Sequence, residues 1–291
     1  MAHSVFDKPR ILCLHGGGAS AQIFQAQMRY ISKYLQHHFR FVFVDAPWIS
    51  DKHPALKPAF PHMNPCYRWA RWLEEQPPLE EASAANEVEV ALMNAMADDE
   101  GTGEWVGLLG FSQGAKMAFS ILQESQLRAR ENRMLKGYAG VHWQFGIIMA
   151  GRGPPLCLSS LSRQRKGYSS FTQLPYYRDE SMRYSLFGDR LQIPTLHVHG
   201  LRDEGLEAHR ELLAYYTAPE YARLIEWDGG HRLPIKSEDV RRVAEAIKED
   251  QYDQLDVKPY RDIEKVDKRG EKMDKGKENP SCSRFMILTY E

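Results

Sequence analysis

Residues 104–126 have the pattern of a buried strand, a tight turn and a helix, and this pattern limits the fold more than any other stretch of the chain. An apolar run at 105–109 is followed at once by Gly-Phe-Ser-Gln-Gly at 110–114 and then by a helix-forming run from Ala115. A residue on so sharp a strand-to-helix turn has a strained backbone, and glycines two positions to either side avoid a clash with it. The turn lifts the hydroxyl of Ser112 clear of the sheet, beside the positive end of the helix dipole. The pattern predicts a nucleophilic serine, although a glycine-rich turn with a surface serine would match it too.

The same alternation of strand and helix patterns continues along most of the chain. Short apolar runs predict six strands, at residues 10–14, 39–44, 105–109, 145–149, 193–198 and 222–227. Amphipathic or helix-forming stretches lie between them, at residues 21–36, 67–75, 80–97, 115–122, 205–216 and 237–248. Such alternation is typical of an α/β fold with a mostly parallel, doubly wound sheet and helices on both faces. Active residues are then expected on the loops at the carboxyl ends of the strands.

Composition excludes several classes of function. The formal net charge of −1 argues against a nucleic-acid or membrane partner held by charge. The four cysteines are widely spaced and form no Cys-x-x-Cys pair, which is usual in a reducing compartment and offers no metal framework. Residues 1–8 lack the apolar core of a signal peptide, and no apolar run approaches the length of about 18 residues that spans a membrane. We therefore expect a cytoplasmic protein.

Two segments depart from the strand and helix alternation. Residues 152–190 are polar and aromatic with little periodicity, which fits an irregular excursion over the active site or a partly mobile loop. Residues 250–278 mix acids and bases with few apolar residues, which is typical of a solvated helix or a flexible tail. We predict one catalytic domain over residues 1–249 and a charged C-terminal tail over residues 250–291.

A serine hydroxyl needs a base beside it, and the base needs an acid that fixes its tautomer. In a doubly wound hydrolase these residues follow in the order Ser, Asp or Glu, His. Asp203 lies just after the predicted strand at 193–198, and His231 lies after the strand at 222–227, behind two glycines that let the loop fold back. We therefore predict Ser112, Asp203 and His231 as a catalytic triad.

Each partner of the serine has an alternative interpretation. Asp203 is also well placed to cap the helix that follows it. Glu204 and Asp228 compete with it for the role of the acid. His231 would also fit an ordinary loop histidine near a helix start.

The reaction also needs donors for the developing oxyanion. One is expected from the backbone N–H of Gln113, the residue after the nucleophile, and the other from the loop after the first strand. That loop is His-Gly-Gly-Gly at 15–18, and the absence of side chains at its glycines lets the backbone approach a ligand closely. We favour the N–H of Gly17, with Gly18 as the second choice. A glycine-rich turn without a ligand remains the alternative.

No cofactor or metal is predicted. The glycines at 16–18 do not continue into the Gly-x-Gly-x-x-Gly spacing, since position 21 is Ala21, and no Walker lysine follows them. His37 and His38 are adjacent rather than one helical turn apart. His197 and His199 lie on or beside a predicted strand and are interpreted as structural.

With these motifs in place, the chain resembles the FSH serine hydrolases, an α/β-hydrolase family common in fungi. The resemblance runs from about residue 10 to residue 248, and its most specific part is the Asp-Ala-Pro that follows the second strand. The motifs that carry it are Leu14-His15-Gly16, Asp45-Ala46-Pro47, Gly110-Phe111-Ser112-Gln113-Gly114, His199-Gly200-x-x-Asp203 and Gly230-His231. The resemblance implies the α/β-hydrolase fold and the triad named above.

The resemblance also implies a function. Some members of the family are thioesterases of polyketide gene clusters, which release a finished chain from the acyl-carrier domain of a synthase, and others are esterases. We therefore expect a serine hydrolase that cleaves an acyl thioester or ester through an acyl-enzyme, with the carrier domain of a polyketide synthase as a partner in the first case. One alternative is a broad carboxylesterase without a synthase partner. The other is a non-catalytic binding protein, and the complete triad order argues against this second alternative.

An acyl hydrolase needs an apolar groove beside its serine. The candidates are aromatic and apolar residues in two segments, with Trp48, Tyr67, Trp69 and Trp72 first, and Phe60, Met63, Tyr168, Phe171, Tyr176, Tyr177 and Phe187 beside them. Trp69 and Trp72 are three positions apart in a predicted helix and fit core packing equally well. Arg68 and Arg71 could meet an acidic carrier protein or a phosphate, but a solvated face is favoured.

Overall fold

A computed structural model describes residues 5–132, 136–174 and 190–252 of this protein. Its main sheet has six strands in the order β2-β1-β5-β6-β7-β8, and all of the paired strands in it are parallel. The strands are β1 Arg10–Leu14, β2 Arg40–Val44, β3 Trp48–Ser50, β4 Cys66–Arg68, β5 Trp105–Phe111, β6 Phe145–Met149, β7 Thr195–Gly200 and β8 Ala222–Trp227. The α-helices are α1 Ala21–Leu35, α2 Glu81–Ala97, α3 Gln113–Glu131, α4 Ser160–Arg163, α5 Leu206–Tyr216 and α6 Ser237–Tyr252.

The predicted fold class and its six parallel strands are confirmed, and this is the architecture of an α/β-hydrolase fold. Ser20 caps α1, since its Oγ accepts a hydrogen bond from the backbone N–H of Ile23. Strand β7 begins at Thr195 rather than at residue 193. Pro194 precedes it, and a proline has no N–H to contribute to a central strand.

The segment after β2 differs from its prediction. The helix expected over residues 67–75 is wrong, because β4 occupies the first part of that range and pairs antiparallel with β3. Tyr67 also forms an isolated antiparallel bridge with Ala19 beside α1. These pairings join residues far apart in sequence, which a local pattern could not reveal.

Two apolar cores cover the two faces of the sheet. Along β1, Leu12 and Leu14 pack into the core beneath α2 and α3, whereas Ile11 and Cys13 pack into the core beneath α1 and α6. Alternate residues of a strand point to opposite faces, so a strand covered on both sides is apolar throughout. The helices therefore hold the sheet between them and leave its carboxyl edge to the loops.

The segment that begins at Arg152 is packed against the core along its first part. Leu156, Cys157, Tyr168 and Phe171 are buried in the core on the α2 and α3 face. Residues 175–189, which include the groove candidates Tyr176, Tyr177 and Phe187, lie outside the described residues.

The predicted tail also falls mostly outside them, since α6 runs to Tyr252 and residues 253–291 are not described. The division into a domain over residues 1–249 and a tail over residues 250–291 therefore stays a prediction. In the described ranges, no helix has the length and apolarity that crossing a membrane requires.

Candidate active site

Ser112 lies on the turn between β5 and α3 in a conformation that few residues other than glycine adopt, with φ 56° and ψ −115°. Its neighbours explain how the turn is accommodated. A Cβ on Gly110 would lie 2.3 Å from the carbonyl oxygen of Gly114, and a Cβ on Gly114 would lie 2.1 Å from that of Leu14. Glycine at both positions therefore allows β5, α3 and β1 to approach one another closely, as the spacing of the motif indicated.

The structure brings the three predicted triad side chains together from three different loops. The Oγ of Ser112 lies 2.9 Å from Nε2 of His231, and Nδ1 of His231 lies 2.7 Å from Oδ2 of Asp203. An ionised carboxylate can only accept a hydrogen bond, so Nδ1–H of the imidazole is the donor to Asp203. Nε2 is then left with a lone pair that can accept the hydroxyl proton of Ser112.

Asp203 is buried and is held by two donors. Its Oδ1 accepts from the backbone N–H of Gly205 at 2.8 Å, so it ties down the start of α5 and orients His231 at once. Burial raises the pKa of this carboxyl, but the hydrogen bonds from His231 and Gly205 and the nearby imidazoles outweigh burial and lower the pKa to about 2. The carboxylate therefore stays ionised at neutral pH.

The two competing acids lie elsewhere. Asp228 forms an exposed ion pair with Arg202, whose Nε lies 3.0 Å from Oδ1 of the aspartate. Glu204 is exposed on the wall of the cavity described below. In this geometry His231 contacts Asp203 rather than either of them.

Three histidines are buried behind the triad, and each has its pKa lowered by burial, to about 3 for His197, about 2 for His199 and about 4 for His209. All three imidazoles are therefore neutral at physiological pH. Nδ1 of His209 lies 4.0 Å from Oδ2 of Asp203. His197 and His199 do not line the cavity, which agrees with their interpretation as structural residues.

His15 has a role that the sequence did not reveal. Its Nδ1–H donates to the carbonyl oxygen of Gly16 at 2.7 Å, while its Nε2 accepts from the backbone N–H of Ala46 at 3.0 Å. Burial lowers the pKa of this imidazole to about 4, so it stays neutral and keeps this tautomer. His15 therefore links the glycine loop after β1 to the Asp-Ala-Pro loop after β2, which gives a physical reason for the two motifs to occur together.

The two predicted oxyanion donors belong to residues that line the same cavity as Ser112, namely Gly17 and Gln113. The two residues lie close together, since a Cβ on Gly17 would lie 3.1 Å from Oε1 of Gln113. The side chain of Gln113 is occupied, since it accepts from the N–H of Trp69 at 2.7 Å and donates to the carbonyl of Ala70 at 3.0 Å. Within the part of the chain that the structure describes, the N–H groups of Gly17 and Gln113 have no acceptor.

Gly18 is a poorer donor candidate than its position suggested. Its N–H donates to the carbonyl oxygen of Tyr67 at 2.9 Å, and its φ of 67° favours glycine. A Cβ there would lie 2.6 Å from the backbone nitrogen of His53. The structure therefore uses Gly18 to join the loop after β1 to the segment after β2.

A cavity of about 450 Å³ opens beside Ser112 and His231. Trp72 lines it, stacked on His53 with ring centroids 5.5 Å apart. The other described groove candidates do not line it, namely Trp48, Phe60, Met63, Tyr67, Trp69, Tyr168 and Phe171. Trp69 is fully buried, and its Nε1–H donates to the carbonyl oxygen of His15 at 2.9 Å. Trp48 packs edge-on against Phe171.

The lining contains more charge than the sequence indicated. Arg71, Lys116, Arg152 and Arg202 contribute cationic side chains, and of these four only Arg71 was a candidate from the sequence. Burial lowers the pKa of Lys116 to about 8. The expected solvated face is wrong for Arg68, which is buried and donates to the carbonyl oxygen of Pro77 at 3.3 Å.

The described residues include one group with the donor types of a metal site. Single ligand atoms of Asp203, His209 and His231 lie within 4.8 Å of one another. Asp203 and His231 already form a hydrogen bond of 2.7 Å with each other, and a cation bound by both would have to displace it. The donor set is therefore better explained by the contact between Asp203 and His231 than by a metal centre.

Known proteins resemble this chain closely in sequence. The family model described as serine hydrolase (FSH1) matches residues 3–243. An esterase of Monascus ruber, citA, is 41% identical over 247 residues, which cover 83% of this chain and 91% of the esterase. A second esterase of that organism, pigG, is 42% identical over 246 residues, which cover 81% of this chain and 89% of the esterase.

Among solved structures, the acyl-protein thioesterase 2 of Zea mays aligns over 84% of this chain and 94% of its own, with a TM-score of 0.47 and 17% identity. The sequence matches confirm the predicted resemblance, and they bear out the expectation of a hydrolase of the esterase class. The chain therefore belongs to the FSH1 family of serine hydrolases and is an enzyme of the esterase class.

Proposed function

We propose that this enzyme cleaves acyl esters or thioesters in two steps through an acyl-enzyme on Ser112. The observation that carries the proposal is the continuous contact from Oγ of Ser112 through His231 to Asp203, with distances of 2.9 Å and 2.7 Å. A base within this reach can take the hydroxyl proton as the serine attacks. Asp203 holds the imidazole in the required tautomer and stabilises the imidazolium that forms.

The first step makes the acyl-enzyme. Ser112 attacks the carbonyl carbon while His231 takes its proton at Nε2. The oxygen of the tetrahedral intermediate accepts hydrogen bonds from the N–H groups of Gly17 and Gln113, and the start of α3 adds the positive end of its dipole. The leaving alcohol or thiol departs with the proton from His231. Water then attacks the acyl-enzyme by the same route and releases the acid.

Ser112→Ala tests the role of the serine, because it removes the nucleophile and leaves a side chain that the turn can hold. We expect hydrolysis of 4-nitrophenyl hexanoate to fall by at least about 10³-fold, since removing a triad member leaves only the assistance of the remaining groups. The midpoint of urea unfolding should stay close to that of the wild type.

The matched control is Ser83→Ala, at an exposed serine of α2 that does not line the cavity. A fluorophosphonate probe should label the wild type and Ser83→Ala but not Ser112→Ala. Full activity or full labelling of Ser112→Ala would end the proposal, and an unlabelled wild type would favour a non-catalytic binding protein.

The finer proposal is that the enzyme releases a polyketide chain from the carrier domain of a synthase. It is supported by the resemblance to family members of that kind. The second candidate is a broad carboxylesterase that needs no synthase, and relatives named as esterases are compatible with both candidates. Comparing kcat/KM for an acyl thioester on a carrier protein with that for the same acyl group on 4-nitrophenol separates the two, since thioester release predicts a clear preference for the carrier-bound chain.

A further inference from the structure

The cavity beside Ser112 has an excess of positive charge that its own residues do not neutralise. Four cationic side chains line it, against the carboxylates of Asp203 and Glu204. Both oxygens of Asp203 are engaged, by His231 and by the N–H of Gly205. One of the cations, Arg202, is exposed and paired with Asp228. Three cations, Arg71, Lys116 and Arg152, are thus left facing the cavity.

Among the residues that the structure describes, none of these three cations has a carboxylate partner. Within the described ranges, neither the ammonium of Lys116 nor the guanidinium of Arg152 has a hydrogen-bond acceptor or an ion pair. Arg71 donates from Nη2 to the carbonyl oxygen of Glu74 at 2.5 Å, but its Nε is buried without an acceptor. A partly buried cation without a partner costs free energy, and an anionic group of a ligand would offset that cost.

The position of Lys116 adds to that cost. It lies in the first turn of α3, where the helix dipole disfavours a positive charge. Burial lowers its pKa to about 8, which leaves it mostly protonated at neutral pH. The guanidinium of Arg152 packs against Gly205, where a Cβ would lie 2.3 Å from its Nη2. Both side chains therefore contribute positive charge to the cavity that Ser112 and His231 also line.

We propose that this cavity binds a carboxylate of the substrate through Lys116, Arg152 and Arg71, so that the enzyme prefers esters of acids that carry a second, free carboxylate. The inference rests on the proposed function at Ser112. The paired donors of a guanidinium match a carboxylate, and the apolar side chains of Trp72 and Leu156 in the same lining can hold the carbon chain between the two ends. A phosphate on the arm of a carrier protein lies at the far end of that arm from the thioester, and it is therefore the less suitable anion for a site next to the nucleophile.

The test compares two substrates that differ only in charge, mono(4-nitrophenyl) adipate and its methyl ester. We expect the wild type to favour the free carboxylate, and we expect Lys116→Gln and Arg152→Gln each to lower the ratio of the two kcat/KM values by about tenfold or more. Lys33→Gln, the same substitution at an exposed residue of α1, should leave that ratio unchanged. Arg152→Lys, which keeps the charge, should retain most of the ratio.

Using a ratio separates recognition from general damage to the fold, which lowers the rates of both substrates together. A second pair, 4-carboxyphenyl hexanoate and its methyl ester, carries the charge on the leaving group. Two outcomes would overturn the assignment of the cations to the acyl side. One is a preference for the charged ester in this second pair alone. The other is a ratio of kcat/KM values for the first pair that is the same in the wild type and in all variants. Hydrolysis of the neutral esters without any effect of charge would reject this inference and leave the proposed function standing.

A binding measurement gives a readout without turnover. Adipate should raise the melting temperature of wild type and of Ser112→Ala, whereas dimethyl adipate should not. Lys116→Gln should lose most of the shift. A shift with inorganic phosphate but none with adipate would also contradict the proposal, because the cations would then recognise a phosphate.

Discussion

At the scale of the residue, the site depends on side chains that each make two contacts. Asp203 orients His231 and accepts from the N–H of Gly205. The side chain of Gln113 holds the segment at Trp69, and its backbone N–H has no acceptor among the described residues. The sequence identified Ser112 and His231 from their motifs. It left three acids open, because Asp203, Glu204 and Asp228 lie on the loops after adjacent strands. Only the packing of those loops decides which carboxylate reaches the imidazole.

Asp203→Asn tests that choice. The amide can still accept from Gly205, but it cannot fix the tautomer of His231, so we expect kcat for 4-nitrophenyl hexanoate to fall by about 10³–10⁴-fold. Asp228→Asn, at the exposed partner of Arg202, is the matched control and should change kcat by less than about threefold. A larger loss in Asp228→Asn than in Asp203→Asn would reverse the assignment of the acid.

At the scale of the element, the contact between β5 and α3 sets the position of the nucleophile. The two glycines that flank Ser112 are needed because backbone atoms of the strand, the turn and the helix lie where their side chains would be. The motif was readable in the sequence because this requirement is local. The antiparallel pair of β3 and β4 was not readable, since three-residue strands carry little periodicity and their pairing joins distant residues.

Gly110→Ala tests the close approach of the elements. Its Cβ would lie 2.3 Å from the carbonyl oxygen of Gly114, and neither backbone can move without shifting α3. We expect the free energy of unfolding to fall by about 3 kcal/mol or more, measured by urea denaturation, or soluble expression to be lost.

The control for this substitution is Gly140→Ala, at a glycine whose φ is 75° and around whose Cβ position nothing lies within 4 Å. Only backbone strain applies there, so the expected cost is about 1 kcal/mol. Equal costs at the two positions would show that crowding between β5 and α3 is not what requires Gly110.

At the scale of the whole molecule, the two ends of the parallel strands have different roles. The carboxyl edge carries the triad, and the amino edge carries an ion-pair group in which Asp99 meets Arg10 at 3.2 Å and Arg40 at 2.6 Å. These arginines begin β1 and β2, so Asp99 ties two strands to the chain before β5. Such a group affects stability, whereas the loops at the other edge affect catalysis.

Asp99→Asn should therefore destabilise the protein without altering catalysis. Removing the charge leaves two partly buried arginines unpaired, and we expect a loss of about 1–3 kcal/mol at pH 7 with kcat/KM unchanged. The exposed neighbour Asp98 provides the control, since Asp98→Asn should cost less than about 0.5 kcal/mol.

The free energy of unfolding that Asp99→Asn loses should depend on pH. Burial raises the pKa of Asp99, but hydrogen bonds from Arg40, Arg10 and the N–H of Gly101 outweigh burial, so the pKa of this carboxyl lies below its ordinary value. A carboxyl whose pKa is lowered by folding stabilises the fold at pH values above the pKa that it has in the unfolded chain. This contribution disappears as the pH falls through the pKa that the carboxyl has in the folded protein. The difference between wild type and Asp99→Asn in urea unfolding should therefore shrink below about pH 4. A difference that stayed constant to pH 3 would contradict this account.

The linear chain was enough to predict the fold class, Ser112 as the candidate nucleophile and the order of the candidate triad, because strand and helix periodicity and the glycine requirement of the turn are properties of neighbouring residues. Which residues surround the nucleophile was decided by tertiary packing. Trp69 is buried in the core, the N–H of Gly18 is bound to Tyr67, and Arg71, Lys116 and Arg152 come to one cavity from three separate segments. Burial, hydrogen-bond occupancy and unpaired charge arise when distant segments meet, and no local pattern encodes that meeting.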